Sequence, residues 1–336
     1  MTIDIDMNSK NISIILPVLN SEKYIEATLN SIFSQIYQNF ELIVAYDEKS
    51  TDNTLSILQE FQKTHPFIID IGNDTNTGAA RNRGFRLAKG EFIVFIDADD
   101  IILPNYLSSM LGVFNKHPEL DVVCCGVLFE NDTHIQRALK IAEKSQNNII
   151  IYGREEALLK KVADQLPWGV WSHMVRKSYL LENNLHLPDY TAREDLVYTL
   201  QLFMNTPKIG YSSKIVYIYL KHTDSITATR FDKWWDMCQP SRRDLEELSK
   251  YLPENVSYEI KLRDQRLATA GCACKYDYKT FLSKLELYDI QKLVPYSEGD
   301  TFIGKIAVIV FNISKYAYYK GFRYMKKCSR VKNTQE

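Results

Sequence analysis

The segment Gly90-Glu-Phe-Ile-Val-Phe-Ile-Asp-Ala-Asp-Asp100 restricts what this chain can fold into more than any other stretch. Its unbroken apolar run, Phe92 to Ile96, reads as a strand buried on both faces, as at the centre of a parallel sheet. The strand delivers Asp97, Asp99 and Asp100 at its C-terminal end, where open α/β sheets bind their ligands. Three carboxylates this close repel one another, and burying one unpaired is costly. Two arrangements answer that cost. A divalent cation such as Mg²⁺ or Mn²⁺ suits a set of oxygen ligands. Alternatively, Asp100 caps the helix after Pro104 and its neighbours stay solvated.

The flanking sequence alternates strand and helix patterns. Ile12 to Leu16 reads as a first strand ended by Pro17, and Ile25, Leu29, Ile32 and Ile36 then mark one helix face. Phe40 to Tyr46 and Phe67 to Ile71 read as further strands, with a helix between them carrying Leu55, Leu58 and Phe61. Gly78 to Gly84 opens another helix. Such alternation predicts a doubly wound, mostly parallel α/β sheet. Beyond the aspartates, Val122 to Phe129 and Ile215 to Leu220 read as strands, and the polar stretch Asn131 to Asn148 as a loop. From about Phe231 the pattern turns helical, which predicts a sheet domain over 1–230 and a helical region over 231–336.

The chain has 336 residues and a net charge of -1, so it is no general polyanion binder, and no nucleic-acid partner is expected. Six cysteines without zinc spacing suit a reducing compartment, and the start lacks an apolar leader pattern. A cytoplasmic protein is the expectation. The segment 302–332 mixes aromatics with Lys and Arg, and two readings stand: a peripheral, basic amphipathic helix on the inner face of the plasma membrane, or a helix packed on protein, including a second subunit of a homo-oligomer.

Several motifs occur in a telling order: Ser13-Ile-Ile-Leu-Pro-Val-Leu-Asn20, Gln35 with Tyr37, Ser50-Thr51-Asp52, Ala80-Arg-Asn-Arg-Gly84, Asp97-Ala-Asp99-Asp100 with Pro104, and Glu194-Asp195. Together they resemble the inverting family 2 glycosyltransferases of the nucleotide-sugar-binding GT-A fold, over roughly the first 230 residues. The resemblance implies a DxD motif in which Asp99 binds Mn²⁺ or Mg²⁺ and Asp97 bridges the ribose hydroxyls. It implies donor contacts at Pro17, Leu19, Asn20, Asp47, Glu48, Arg81 and Ala98, with His222 as a further metal ligand, or with Lys221 as a phosphate contact. Asp195 is implied as catalytic base with Glu194 orienting the acceptor, and Trp171 as the aromatic surface for the acceptor sugar. The family's usual Asp-Asp-Gly-Ser is here Asp47-Glu48-Lys49-Ser50, which lengthens the carboxylate expected to meet uracil.

Arg81 and Arg83 lie two positions apart and cannot share a helix face, so Arg81 is expected to turn to the aspartates and Arg83 to the periphery. By resemblance, the chain is expected to move a single hexosyl or N-acetylhexosaminyl unit from a nucleotide sugar, UDP-linked, to a saccharide or lipid-linked acceptor. The setting would be bacterial surface-polysaccharide synthesis, capsule or lipopolysaccharide. The rivals are a nucleotidyltransferase, for which the loop after the first strand lacks a basic, glycine-rich character, and a non-catalytic nucleotide-sugar-binding protein.

Overall fold

The structure, a computed structural model, describes residues 12–167, 169–222, 237–287, 290–291 and 309–321. The chain divides into two compact units, one of residues 1–158 and 166–225, the other of 159–165 and 226–336. The boundary expected near Phe231 lies outside the described residues.

The first unit is built on a nine-stranded sheet. Its N-terminal half is parallel, with β1 (Ile12–Val18), β2 (Phe40–Asp47), β3 (Ile68–Gly72) and β4 (Phe92–Phe95) in the order β3-β2-β1-β4. Beyond β4 the order continues β8-β6-β9-β5, with β5 (Ile101–Ile102), β6 (Val122–Asn131), β8 (His173–Arg176) and β9 (Lys208–Lys221). Strand β8 runs antiparallel to both β4 and β6, β9 runs parallel to β6, and β7 (Ile149–Gly153) joins β9 antiparallel.

The winding follows from alternation along β1. Ile12, Ile14 and Leu16 are fully buried in one cluster with Ile25, Leu29 and Ile32 of α1 (Ile25–Phe33) and with Tyr106, Leu107 and Met110 of α4 (Tyr106–Lys116). Ile15 points to the opposite face, where α3 (Thr77–Leu87) sets Gly84 against it. A Cβ on Gly84 would stand 2.6 Å from Ile15 Cγ2, so only glycine lets helix and strand approach this closely.

Two expectations change. Pro17 does not end β1, which runs on to Val18 with Pro17 paired to Ala45 of β2. Ile15 O bonds Ile96 N on the β4 side. Pro17 has the same parity, and its pairing with β4 has already ended at Ile15, so no ladder bond is lost there. The stretch 131–148 is not a loop. It holds a 3₁₀ turn (Asp132–His134) and α5 (Ile135–Glu143), whose Ile135, Ala138, Leu139 and Ala142 pack on Leu128, Ile218 and Leu220. Apolar positions at i, i+3, i+4 and i+7 define that face.

Helix α3 gives successive residues different tasks. Arg83 turns away from Arg81. It donates to Tyr46 O at 3.0 Å and Asp74 Oδ2 at 2.7 Å, and also pairs with Asp70, tying the ends of β2 and β3 to the helix. Asn82 holds the strap before α8 (Glu194–Asn205): its Nδ2 donates to Leu187 O at 2.8 Å and its Oδ1 accepts from Leu187 N at 3.0 Å.

The second unit includes α9 (Gln239–Leu248), α10 (Glu254–Lys275) and α11 (Tyr278–Leu287). Residues 309–313 and 315–321 are helical, and Phe311, Tyr318 and Tyr319 are buried against Phe281, Leu285 and Cys272. The aromatic part of this segment thus packs on its own unit, while Ile309, Ile313 and Tyr316 stay exposed. The rest of 302–332 lies outside the described residues. Among the described residues no helix is long and apolar enough to cross a membrane.

The Arg83 clamp carries a measurable load. Arg83→Met leaves the buried Asp74 carboxylate without its guanidinium, and urea unfolding is expected to show a loss of about 3 kcal/mol. An unchanged midpoint and slope would show that the clamp contributes nothing.

Candidate active site

The C-terminal ends of β1, β2 and β4, the start of α8 and the end of β9 converge on one group of charged side chains. At its centre is Arg81, 4% exposed, whose Nη2 donates to Asp97 Oδ1 at 2.6 Å while Nη1 lies 3.6 Å from Glu194 Oε1. Burial alone would lower the affinity of the guanidinium for its proton. Asp97 and Glu194 outweigh burial and hold it charged. In turn, burial raises the Asp97 carboxyl, opposed by Arg81 and assisted by Asp99. Glu194 is pushed up to about 7, chiefly by burial and then by Asp195, with Arg81 opposing.

The two aspartates that follow play different parts. Asp99 is part-exposed, and its Oδ2 lies 2.7 Å from Nε2 of His222, just past the end of β9. His222 packs on Tyr24 with ring centroids 4.5 Å apart. Asp100 is 1% exposed and is not a helix cap. It accepts from the Tyr217 hydroxyl at 2.6 Å and from Leu220 N at 2.9 Å, so it ties the turn after β4 to β9. Burial, then Asp99 and Asp97, raise its carboxyl well above the usual range. The cap position of α4 is Asn105 instead. Ala98 is buried between the aspartates, and its carbonyl accepts from Thr28 Oγ1 at 3.0 Å.

The acidic pair opens α8 through two residues in the left-handed region, Ala192 at φ 86° and Arg193 at φ 66°. Neither is glycine, so this backbone is held by its surroundings at some cost. Asn82 supplies one restraint, and Asp189, accepting from Asn76 Nδ2 at 2.6 Å, supplies another. Asp195 Oδ1 accepts from Leu196 N at 2.8 Å, and no ion pair engages its carboxylate among the described residues.

The loops after β1 and β2 are stitched together beside this group. Asn20, at φ 48°, accepts from Thr51 N at 2.8 Å on its Oδ1 and donates from its backbone N to Ser50 Oγ at 3.1 Å. Glu22 and Asp52 exchange bonds with each other's loop. Asp47 is buried and caps the turn through Lys49 N at 3.0 Å, whereas Glu48 and Leu19 are exposed. Pro17 is buried on β1, two residues before exposed Leu19. The geometry therefore gathers Asp97, Ala98, Asp99, Arg81, Glu194, Asp195 and His222.

Trp171 is the exception among the expected site residues. It is 6% exposed, with its indole stacked on Tyr217 at 4.6 Å and 19° and leaning on Tyr219 at 5.4 Å. It belongs to the core rather than to an open sugar-binding surface, because neighbouring rings occupy its faces. Tyr217 and Asn82 were not foreseen as site-forming. Tyr217 lies 117 residues from the aspartate it holds, and no local pattern announces that pairing.

A divalent cation fits the chemistry of the Asp99–His222 pair, one carboxylate oxygen and one imidazole nitrogen facing each other. Among the described residues no group of three or more His, Cys, Asp or Glu converges on a single point.

The family model described as Glycosyl transferase family 2 matches residues 13–181. An uncharacterized glycosyltransferase of Escherichia coli, YibD, is 24% identical over 226 residues, covering 66% of this chain and 64% of that protein. A poly(ribitol-phosphate) beta-glucosyltransferase of Bacillus spizizenii is 28% identical over 219 residues, 63% of this chain and 32% of that protein. The chain thus spans less than two thirds of either relative. Among solved structures, Staphylococcus aureus TarS in complex with UDP-GlcNAc aligns at a TM-score of 0.58 and 18% identity, covering 94% of this chain and 91% of that one. The mannosyltransferase PcManGT of Pyrobaculum calidifontis, with GDP-Man and Mn²⁺, aligns at 0.55 and 17% identity, covering 98% and 88%. The fold is that of the GT-A glycosyltransferases, an α/β sheet domain with a helical C-terminal region. On the match over half its length, this chain belongs to glycosyl transferase family 2.

Proposed function

We propose that this chain moves a single sugar from a UDP-sugar to a saccharide or lipid-linked saccharide acceptor, with inversion, in the synthesis of a cell-surface polysaccharide. The observation that carries this reading is the network Asp97–Arg81–Glu194, which fixes the acidic start of α8 against the aspartate cluster at the strand ends. Donor and acceptor chemistry need those two groups side by side. The UDP-GlcNAc and GDP-Man complexes of the structural neighbours support a nucleotide-sugar donor. The polyol-phosphate-modifying relative supports a surface-polymer acceptor.

Asp99 and His222 would hold Mn²⁺ or Mg²⁺, which when bound neutralises the departing diphosphate. Asp97 is the candidate for the ribose hydroxyls, and exposed Glu48 for the edge of the base, with Leu19 and Pro17 as further donor contacts. Asp195 has an open carboxylate oxygen and takes the proton of the attacking acceptor hydroxyl. A single displacement needs no second, nucleophilic carboxylate. Glu194 orients the site through Arg81 rather than reacting.

Screening nucleotide sugars for Mn²⁺-dependent release of free nucleotide tests the reading as a whole, and no release from any donor would sink it. Asp99→Asn is expected to abolish transfer and weaken nucleotide binding to the level seen in EDTA; equal calorimetric binding in all three conditions would remove Asp99 from the metal site. Asp195→Asn should keep donor affinity and lose about 10²–10⁴-fold in turnover, and near wild-type turnover would move the base elsewhere. The anomeric configuration of the product is a separate check, since retention overturns single displacement.

Glu194 also predicts a pH dependence of stability. Its folded pKa, about 7, exceeds its ordinary value of 4.5, so between these values the folded protein binds the extra proton. Stability should therefore fall as pH rises from about 4.5 to about 7, by up to about 3 kcal/mol, and level off above that window. In Glu194→Gln that slope should shrink when melting is followed across pH, and an unaltered slope would refute the assignment.

A further inference from the structure

The carboxylate cluster is backed by a series of aromatic rings that leads out to the surface. Tyr217, fully buried, donates its hydroxyl to Asp100 and stacks on Trp171. Tyr219 and Phe129 follow, with ring centroids 5.4 and 6.1 Å from the indole. These two lie opposite each other on β9 and β6, with ring centroids 5.3 Å apart. Exposure rises outward, from none at Tyr217 through 6% at Trp171 to 44% at Phe129. Helix α5 packs on the other face of these strands, through Leu128, Ile218 and Leu220.

A single exposed phenylalanine needs no explanation in general. This one differs in two respects. Its ring is held by two aromatic neighbours and so is fixed rather than loose. It also has a cation over it, because Lys221 Nζ stands 5.7 Å from the ring centroid on a flexible, exposed side chain, and the next residue is His222, bonded to Asp99. A fixed apolar face next to an ammonium donor matches a pyranose, which presents C–H groups on one side and hydroxyls at its rim.

The geometry points to Phe129, supported by Trp171 and Tyr219, as the platform on which an acceptor sugar ring stacks, with Lys221 donating to an oxygen at its rim. This rests on the glycosyl-transfer reading and identifies where the second substrate lies. It moves the role expected for Trp171 one layer outward: the indole supports the surface, and the phenyl ring forms it.

The full chain can be tested by saturation-transfer NMR with chitobiose and cellobiose as probes, with UDP and GDP titrated in Mn²⁺ by calorimetry as a separate readout. Wild-type protein should transfer saturation to sugar C–H protons. Phe129→Ala should weaken disaccharide binding about tenfold, Phe129→Trp should restore it, and nucleotide affinity should match wild type in both. Unchanged sugar binding in Phe129→Ala overturns the platform, as does wild-type protein that binds nucleotide but neither disaccharide. A Phe129-dependent sugar signal without nucleotide binding would uphold the platform and instead remove the donor assignment.

Discussion

Everything in the charged cluster at the strand ends depends on one buried cation. Arg81 is almost without solvent, and only the carboxylates around it make its charge tolerable there. Those carboxylates come from two distant parts of the chain, Asp97 after β4 and Glu194 at the start of α8. Removing the guanidinium would leave two largely buried acids facing each other, so the loop after β4 and the start of α8 are tied together through it. The neighbouring positions on α3 serve the same end by other means, with Asn82 holding the strap before α8 and Gly84 letting the helix lie close to β1.

The layout of the sheet was largely legible. Apolar runs separated by helix-period stretches lead directly to the parallel half, and an acidic end on the central run leads to the edge where the charged side chains gather. The opposite directions of Arg81 and Arg83 follow from helix geometry alone. What escaped the sequence was set by tertiary context. Pro17 looks like a terminator, but its missing N–H falls where β4 has already stopped. Asp100 looks like a cap, yet β9 supplies both of its partners from far along the chain.

Trp171 shows the same limit. A tryptophan near an active site is equally at home in the core or on a sugar, and only its neighbours decide between these. Tyr217, Tyr219 and Phe129 are spread over two strands that pair in parallel, an arrangement that no local period announces. The helix within 131–148 was different, since its i, i+3, i+4 pattern was present but diluted by the polar residues around it.

The left-handed pair Ala192 and Arg193 has a consequence for engineering this scaffold. Glycine at 192 would suit the backbone angle, but it would also enlarge the set of unfolded conformations, so the two effects on stability oppose each other. More importantly, a side chain at that position narrows the directions in which the following helix can start. A looser entry would let Glu194 and Asp195 sample more orientations. Position 192 therefore sets a trade between comfort of the main chain and sharpness of aim, and a variant selected only for heat resistance would be blind to the second.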